Sequence, residues 1–308
     1  MQASLSQDTF STAVEPGPKQ PACHASYARW HAQPEWVEAV VGYVVPSDQR
    51  PFNYMYQPPP GIPWQNSAFE QVPVEIADAR PRGAGLSVDR EGFELWDALS
   101  RLTDFADSAV VERIYYAEMA GLALAATGGS RAYVFDHLLR QREVGRPTLT
   151  FGRRADGSEP AAVGRVHVDY TEASGRRRLG LVLAQAGNAK PAHRHCIVDI
   201  WRPLVDPVLD TPLAVCDARS VQAQDLVPAD VHYPNRSGEI YLAAHAAVHR
   251  WHYFSRMRPH EALVFKQYDS QLSGVARFTP HAAFDHPAMP PDAPLRRSIE
   301  LRCLVLYD

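Results

Sequence analysis

No stretch of the 308-residue chain stays apolar for the ~18 residues that a membrane-spanning helix needs. Residues 1–21 lack the basic start and apolar centre of a secretory leader. Cysteine is scarce: Cys23, Cys196, Cys216 and Cys303 lie far apart, with no C-x-x-C pair and no disulfide-framework spacing. These absences predict a cytoplasmic protein in a reducing compartment. Positive charge is short as well. The 31 Lys and Arg against 35 Asp and Glu give a net charge of -4 and a pI near 6.3, so there is no basic field to draw nucleic acid or an anionic membrane. A Gly-rich turn between strand and helix is also missing, which sets aside a nucleoside-cofactor cradle of the methyltransferase kind. Thr127-Gly128-Gly129 reads instead as a helix stop. The expected partner is a small molecule, with monomer and homodimer both open.

What is present is enough apolar material for a full core: 45% of residues are hydrophobic and 10% aromatic. Residues 1–35, rich in Ser, Pro and Gln, read as a flexible tail. Residues 36–150 mix strands and helices. Val40–Val45 and Val72–Ile76 are strand-like and flank a Pro-rich stretch that carries Tyr54 and Tyr56. Phe93, Leu95, Leu99, Leu102 and Phe105 recur at helical spacing. A second helix, capped by Asp107 or Ser108, runs through Val111, Ile114, Tyr115 and Met119. From residue 151 to 308 the pattern changes to short strands: Arg165–Tyr170, Cys196–Trp201, Leu213–Val215, Trp251–Phe254, Ala262–Tyr268, Val275–Thr279 and Ser298–Tyr307. That spacing predicts a jelly-roll barrel or sandwich, mainly β with flanking helices. Tyr241–His249 fits helix and strand equally.

Val166-His167-Val168-Asp169 is the most informative tetrapeptide. Alternation along a strand puts His167 and Asp169 on one face and the two valines on the other. With a distant second His this makes a 2-His-1-carboxylate triad, whose open positions suit Fe(II), a chelating cosubstrate and O₂. The tripeptide alone is weak, since 13 His and 20 Asp in 308 residues give about one H-x-D by chance. Its place at the start of the β-rich half strengthens it, and His281, at the end of a late strand, supplies the partner. His286 is the fallback. His193 and His195 follow a loop-like run, and His249, His252 and His260 read as surface or supporting residues.

On the final strand Ile299, Leu301, Cys303 and Val305 share one face, and Arg296, Ser298, Glu300 and Arg302 the other. The polar face is either an exposed edge or the lining of a barrel mouth. In the second case Arg296 and Ser298 grip a carboxylate, because a guanidinium donates two parallel hydrogen bonds to it. An H-x-D, a later His and then Arg-x-Ser is the order a 2-oxoglutarate oxygenase requires. Arg302 and Lys266 compete as anchors.

These residues resemble a known family. Val166–Thr171, Trp201-Arg202-Pro203-Leu204, Arg250–Phe254, Phe265–Ser270, Pro280–Phe284 and Arg296–Arg302 are similar to the hydroxylase/desaturase family of the cephamycin 7-alpha-hydroxylase component and the fungal gibberellin desaturases. Asp78-Ala79-Arg80, Gly92-Phe93, Tyr115–Glu118 and Val134–His137 extend the resemblance to roughly residues 38–307. It implies an Fe(II)- and 2-oxoglutarate-dependent oxygenase on a double-stranded β-helix (a jelly-roll, cupin-like core). Such an enzyme hydroxylates, desaturates or oxidatively cyclises a small molecule, usually in secondary metabolism. Two positions depart from the family pattern: Arg297 where an acidic residue is expected, and Asp199 where Asn is more common. Arg202, Trp251, Tyr253, Tyr54 and Tyr56 are the candidate substrate contacts, each with a structural role as its alternative. A cupin-like oxygenase that does not use 2-oxoglutarate, or a non-redox metal-binding cupin, is the rival reading.

Overall fold

Short alternating runs bounded by Pro, Gly and Asp become fourteen strands in the computed structural model, which describes residues 35–142, 162–187 and 192–308. The expected tail (apart from Glu35) and the boundary at residue 150 therefore lie outside the described residues. In chain order the early strands are β1 (Trp36–Val44), β2 (Phe52–Tyr54), β3 (Phe69–Asp78), β4 (Phe93–Asp97) and β5 (Arg131–Gln141). The middle ones are β6 (His167–Val168), β7 (Arg194–Pro203), β8 (Leu213–Cys216), β9 (Leu226–Tyr233) and β10 (Arg236–Ala243). The last are β11 (Trp251–Tyr253), β12 (Glu261–Asp269), β13 (His281–Ala283) and β14 (Arg297–Tyr307). A nine-stranded sheet has the order β1-β3-β11-β8-β13-β6-β10-β9-β2, and a five-stranded sheet the order β4-β12-β7-β14-β5.

The nine-stranded sheet curls back on itself. Gly42 of β1 donates to the Gly164 carbonyl at 2.9 Å and accepts from Val166 at 2.8 Å, which ties the first strand to the run entering β6. The roll encloses an apolar cluster that includes Val41, Val166, Trp251 and Phe284. The outer face of the five-stranded sheet carries Ile299, Leu301, Cys303 and Val305 into a second cluster with Met119, Ala123 and Leu124. Those last residues lie in α2 (Tyr116–Thr127), which follows α1 (Ser108–Val110) and a π-helical turn (Val111–Tyr115) without a gap. Asp107 caps the start through the Ala109 and Val110 amides, and Gly128, at φ 71°, ends it in the left-handed region. The expected second helix is thus present with its stop.

The first expected helix is not. Phe93–Asp97 is strand β4, paired with β12, and Leu99 is 80% exposed in the loop beyond. Phe93 and Leu95 fit a strand's two-residue period as well as a helix's, and pairing with a buried strand decides between them. Val275–Thr279 is irregular, and the ambiguous run splits, with strand through Ala243 and a turn leading to His249.

A helix not foreseen, α3 (Glu172–Gln185), follows β6 under a reciprocal cap between Thr171 and Ser174. Its two internal glycines and triple Arg hide the apolar stripe, but Gly175 has a packing reason. A Cβ there would sit 2.6 Å from the Tyr268 ring, whereas one at Gly180 meets nothing within 4 Å. Gly180→Ala is expected to stabilise by about 0.5–1 kcal/mol, the helix-propensity gain. In Gly175→Ala, crowding of about 1–3 kcal/mol outweighs the same gain, so the variant loses stability. Urea unfolding of the two variants checks the opposite signs.

Candidate metal centre

Directly paired residues of neighbouring strands point to the same side of a sheet. In the nine-stranded sheet one such row runs His252, Val215, His281, His167, Leu242 across β11, β8, β13, β6 and β10. In the five-stranded sheet another runs Phe93, Phe265, Asp199, Arg302, Asp136. The rows face each other: Phe265 meets His281 edge-on at 4.9 Å between centroids, and Phe93 lies 5.5 Å from His252. The space between them is the interior of the double-stranded β-helix.

His167, Asp169 and His281 converge there. Their ligand atoms all lie within 4.8 Å of one another, and the two imidazole centroids are 4.3 Å apart. His167 donates through Nδ1 to the Arg165 carbonyl at 2.8 Å, which turns Nε2 toward the cluster, 3.5 Å from Asp169 Oδ1. The other carboxylate oxygen, Oδ2, accepts from Arg302 at 2.6 Å. Arg302 also holds Glu300 at 2.9 Å and Asp136 at 3.0 Å. Gln267 accepts the Asp169 amide proton at 2.7 Å and places its own amide nitrogen 3.4 Å from His281 Nδ1.

Charge at the site follows from these contacts. Burial disfavours an ionised Asp169, but Arg302 and the two histidines outweigh it and hold the carboxyl well below its usual range. Burial keeps His167 below the ordinary imidazole value, and burial together with His167 keeps His281 far below it. Two neutral imidazoles and one carboxylate on adjacent strands are the donor set of a facial triad, which fits ferrous iron.

The polar face of β14 lines the interior; Ser298 is 1% and Glu300 4% exposed. Of the three candidate anchors two are occupied. Arg302 is bound to carboxylates, and Lys266 lies between Asp89 and Asp269, the latter at 2.8 Å, on the opposite face of β12 from Gln267. Arg296 differs. It is 2% exposed, donates to Ser298 Oγ at 3.2 Å and the Thr211 carbonyl at 2.9 Å, and has no ion pair among the described residues. Burial, reinforced by Arg140, pulls the guanidinium down to about 9. Asp210, which accepts the Arg296 amide proton, and Glu300 favour the charge only in part, and a buried cation without a paired anion is costly, so this pocket suits a carboxylate.

The candidate substrate residues do not gather at the centre. Arg202 donates to Tyr115 at 2.6 Å, to the Ala98 carbonyl at 2.5 Å and to the Pro259 carbonyl, which makes it a brace between β7 and the helical segment. Trp251 and Tyr253 alternate with His252 and pack into the roll on the far side of the sheet. Tyr54 and Tyr56 meet edge-on, 5.4 Å between ring centroids, at the β2 edge, three strands from His167. His286 contacts Tyr253 and not the triad. Gln267, His252 and Asp199 went unrecognised as lining residues. Parity with Phe265 would have found Gln267, whereas Asp199 was visible only as a departure from the family. Asp199 is fully buried and neither carboxylate oxygen has a partner; burial and Asp169 push its carboxyl well above the usual range. A cleft of about 650 Å³ lined by Glu172, Arg219, Tyr241, Arg277 and Phe278 lies elsewhere, with no triad residue in its wall.

A double-stranded β-helix carrying a His-Asp-His cluster in its interior defines the cupin-like class with a candidate mononuclear metal centre. Comparison narrows it. The profile of an oxidoreductase/YMDC permease-like domain matches residues 41–306. No helix among the described residues is long and apolar enough to cross a membrane. An Fe(II)/2-oxoglutarate-dependent dioxygenase, nvfI of Aspergillus novofumigatus, is 32% identical over 88% of this chain and 96% of its own. The hydroxylase/desaturase efuI of Hormonema carpetanum is 33% identical over 78% of this chain and 85% of its own. A solved structure of the iron- and alpha-ketoglutarate-dependent endoperoxidase NvfI superposes with a TM-score of 0.76 at 29% identity, covering 89% of this chain and 99% of that one. The chain belongs to the hydroxylase/desaturase family of Fe(II)/2-oxoglutarate-dependent oxygenases.

Replacing the Arg202 brace tests its assignment. A lysine cannot reach three separated acceptors, so Arg202→Lys should lower unfolding free energy by about 2–4 kcal/mol, through buried acceptors left bare. Iron(II) affinity of the folded variant, measured by titration, should stay at the wild-type value.

Proposed function

We propose that the protein binds Fe(II) through His167, Asp169 and His281, binds 2-oxoglutarate through Arg296 and Ser298, and oxidises a C–H bond of a small molecule. The observation that carries this reading is the pairing of a His-Asp-His cluster with a buried guanidinium that forms no ion pair among the described residues, in the same interior. A metal-binding cupin that does without an anionic cosubstrate would leave Arg296 charged and buried with no ion-pair partner. Iron with 2-oxoglutarate and O₂ supplies the oxidising power by oxidative decarboxylation to succinate and CO₂.

The chain's own residues do the rest. Arg302 fixes one oxygen of Asp169 so that the other faces His167, the geometry of a single-oxygen ligand. The Arg165 carbonyl fixes the His167 tautomer. Arg296 and the Ser298 hydroxyl hold the far carboxylate of the cosubstrate, and apolar neighbours such as Phe265 and Leu242 keep water out. Whether the product is hydroxylated, desaturated or cyclised depends on where the substrate sits; the named relatives include hydroxylase/desaturases and an endoperoxidase. The buried free thiols of Cys196, Cys216 and Cys303 suit a cytoplasmic enzyme, acting as a monomer or homodimer.

Without oxygen, Fe(II) and 2-oxoglutarate should give the wild-type protein a visible charge-transfer band, followed by succinate on admission of air. Asp169→Ala should lose both; near-normal band and turnover in that variant would refute the assignment. Arg296→Leu should form the band only at roughly 30-fold or more higher 2-oxoglutarate, since truncating one partner of a buried charge pair costs about 2–5 kcal/mol. Lys266→Met should leave the cosubstrate titration unchanged.

A further inference from the structure

Behind the row that carries His281, on the opposite face of the nine-stranded sheet, four side chains form a hydrogen-bonded chain. Trp251 Nε1 donates to Tyr43 Oη at 2.9 Å. Tyr43 Oη lies 3.0 Å from His249 Nδ1, and His249 Nε2 lies 3.2 Å from Asp225 Oδ2. Tyr43 is fully buried and Trp251 is 2% exposed. Burial holds His249 below the ordinary imidazole value and raises the Tyr43 phenol, so at rest the ring is neutral and the phenol protonated. With Nε2–H committed to the carboxylate, Nδ1 is the bare nitrogen and accepts the phenolic proton. A phenol hydrogen-bonded to a base gives up an electron more readily than a free one, because its proton leaves along the existing hydrogen bond.

The chain is joined to the metal row by few links. His281 follows Pro280, whose carbonyl accepts from the Cys216 amide at 2.8 Å, and Cys216 directly opposes Trp251 between β8 and β11. Two interstrand spacings separate β11 from β13, about 10 Å. On the other side the exposed His245 meets Tyr43 edge-on at 5.1 Å, so the chain ends at solvent.

We propose that Trp251, Tyr43 and His249 form an escape route for one oxidising equivalent when oxygen is activated with no substrate C–H in place. Trp251 passes one electron to the centre, Tyr43 refills Trp251, and the phenolic proton moves to His249 Nδ1, leaving a neutral tyrosyl radical and an imidazolium held by Asp225. A reductant of the ascorbate class at the surface returns the electron, and His249 returns the proton; the second oxidising equivalent stays at the centre until a further electron from the same class of reductant restores iron(II). The inference rests on the triad holding iron, as proposed above.

The test uses the full chain with Fe(II) and 2-oxoglutarate. The anaerobic charge-transfer band is recorded first, and then the sample is mixed with oxygen and frozen for electron paramagnetic resonance, with no prime substrate. A tyrosine-derived signal is expected, narrowed when the protein is made with ring-deuterated tyrosine and shortened in life by ascorbate. Tyr43→Phe should lose it and inactivate in several-fold fewer uncoupled turnovers. His249→Gln, at a turn and therefore safer for folding, should weaken it several-fold. A normal band without any tyrosine signal, or an undiminished signal in both variants, overturns the escape route alone. Failure of the band itself would strike the iron reading and take the escape route with it.

Discussion

The contact between Arg302 and Asp169 is the constraint on which the candidate centre depends. It crosses from one sheet to the other, so it closes the double-stranded β-helix at the level of the His-Asp-His cluster. Burial by itself would favour a protonated Asp169, a poor ligand; the guanidinium reverses that preference and occupies the outer oxygen. Glu300 and Asp136 in turn balance Arg302, so the interior holds a small charge network instead of one isolated pair. Asp199 stands beside it with no cation of its own, which is why it is driven to its neutral form.

Function here is a consequence of parity. One step along β14 exchanges Ile299, which packs under α2, for Ser298 or Glu300, which face the interior. One step along β11 exchanges His252, on the metal row, for Trp251 and Tyr253, on the far side. The nine-stranded sheet therefore separates the candidate metal cluster on one face from aromatic packing on the other with no intervening layer. Arg296 and Lys266 show the same logic in charge: both are buried cations, but only Lys266 has carboxylates in ion-pair contact, whereas Asp210 and Glu300 act on Arg296 without pairing with it.

Local alternation made His167 and Asp169 legible together, because two residues on one strand need no tertiary knowledge to share a face. His281 was legible as a histidine at the end of a late strand, although its nearness to His167 depends on a ladder between segments over a hundred residues apart in the chain. Arg302 looked like an anchor because its face and residue type fitted; what displaced that reading is an ion pair across sheets, invisible to any local pattern. Phe93–Phe105 misled for the converse reason, since its apolar spacing satisfied a helix until β12 claimed the first five residues. The aromatic residues with candidate substrate roles fit by residue type, and type says nothing about which side of a strand is which.

The order of the strands along the chain carries a biosynthetic consequence. β14 follows every other described strand, yet it sits inside its sheet, between β7 and β5, and it brings the guanidinium that keeps Asp169 anionic. A ribosome extends the chain from the N-terminus, so the two histidines and the aspartate emerge before the residue that fits them for a metal. Asp169 thus has no guanidinium to hold it anionic until the last of the described strands is in place, and the interior charge network completes only as the five-stranded sheet closes.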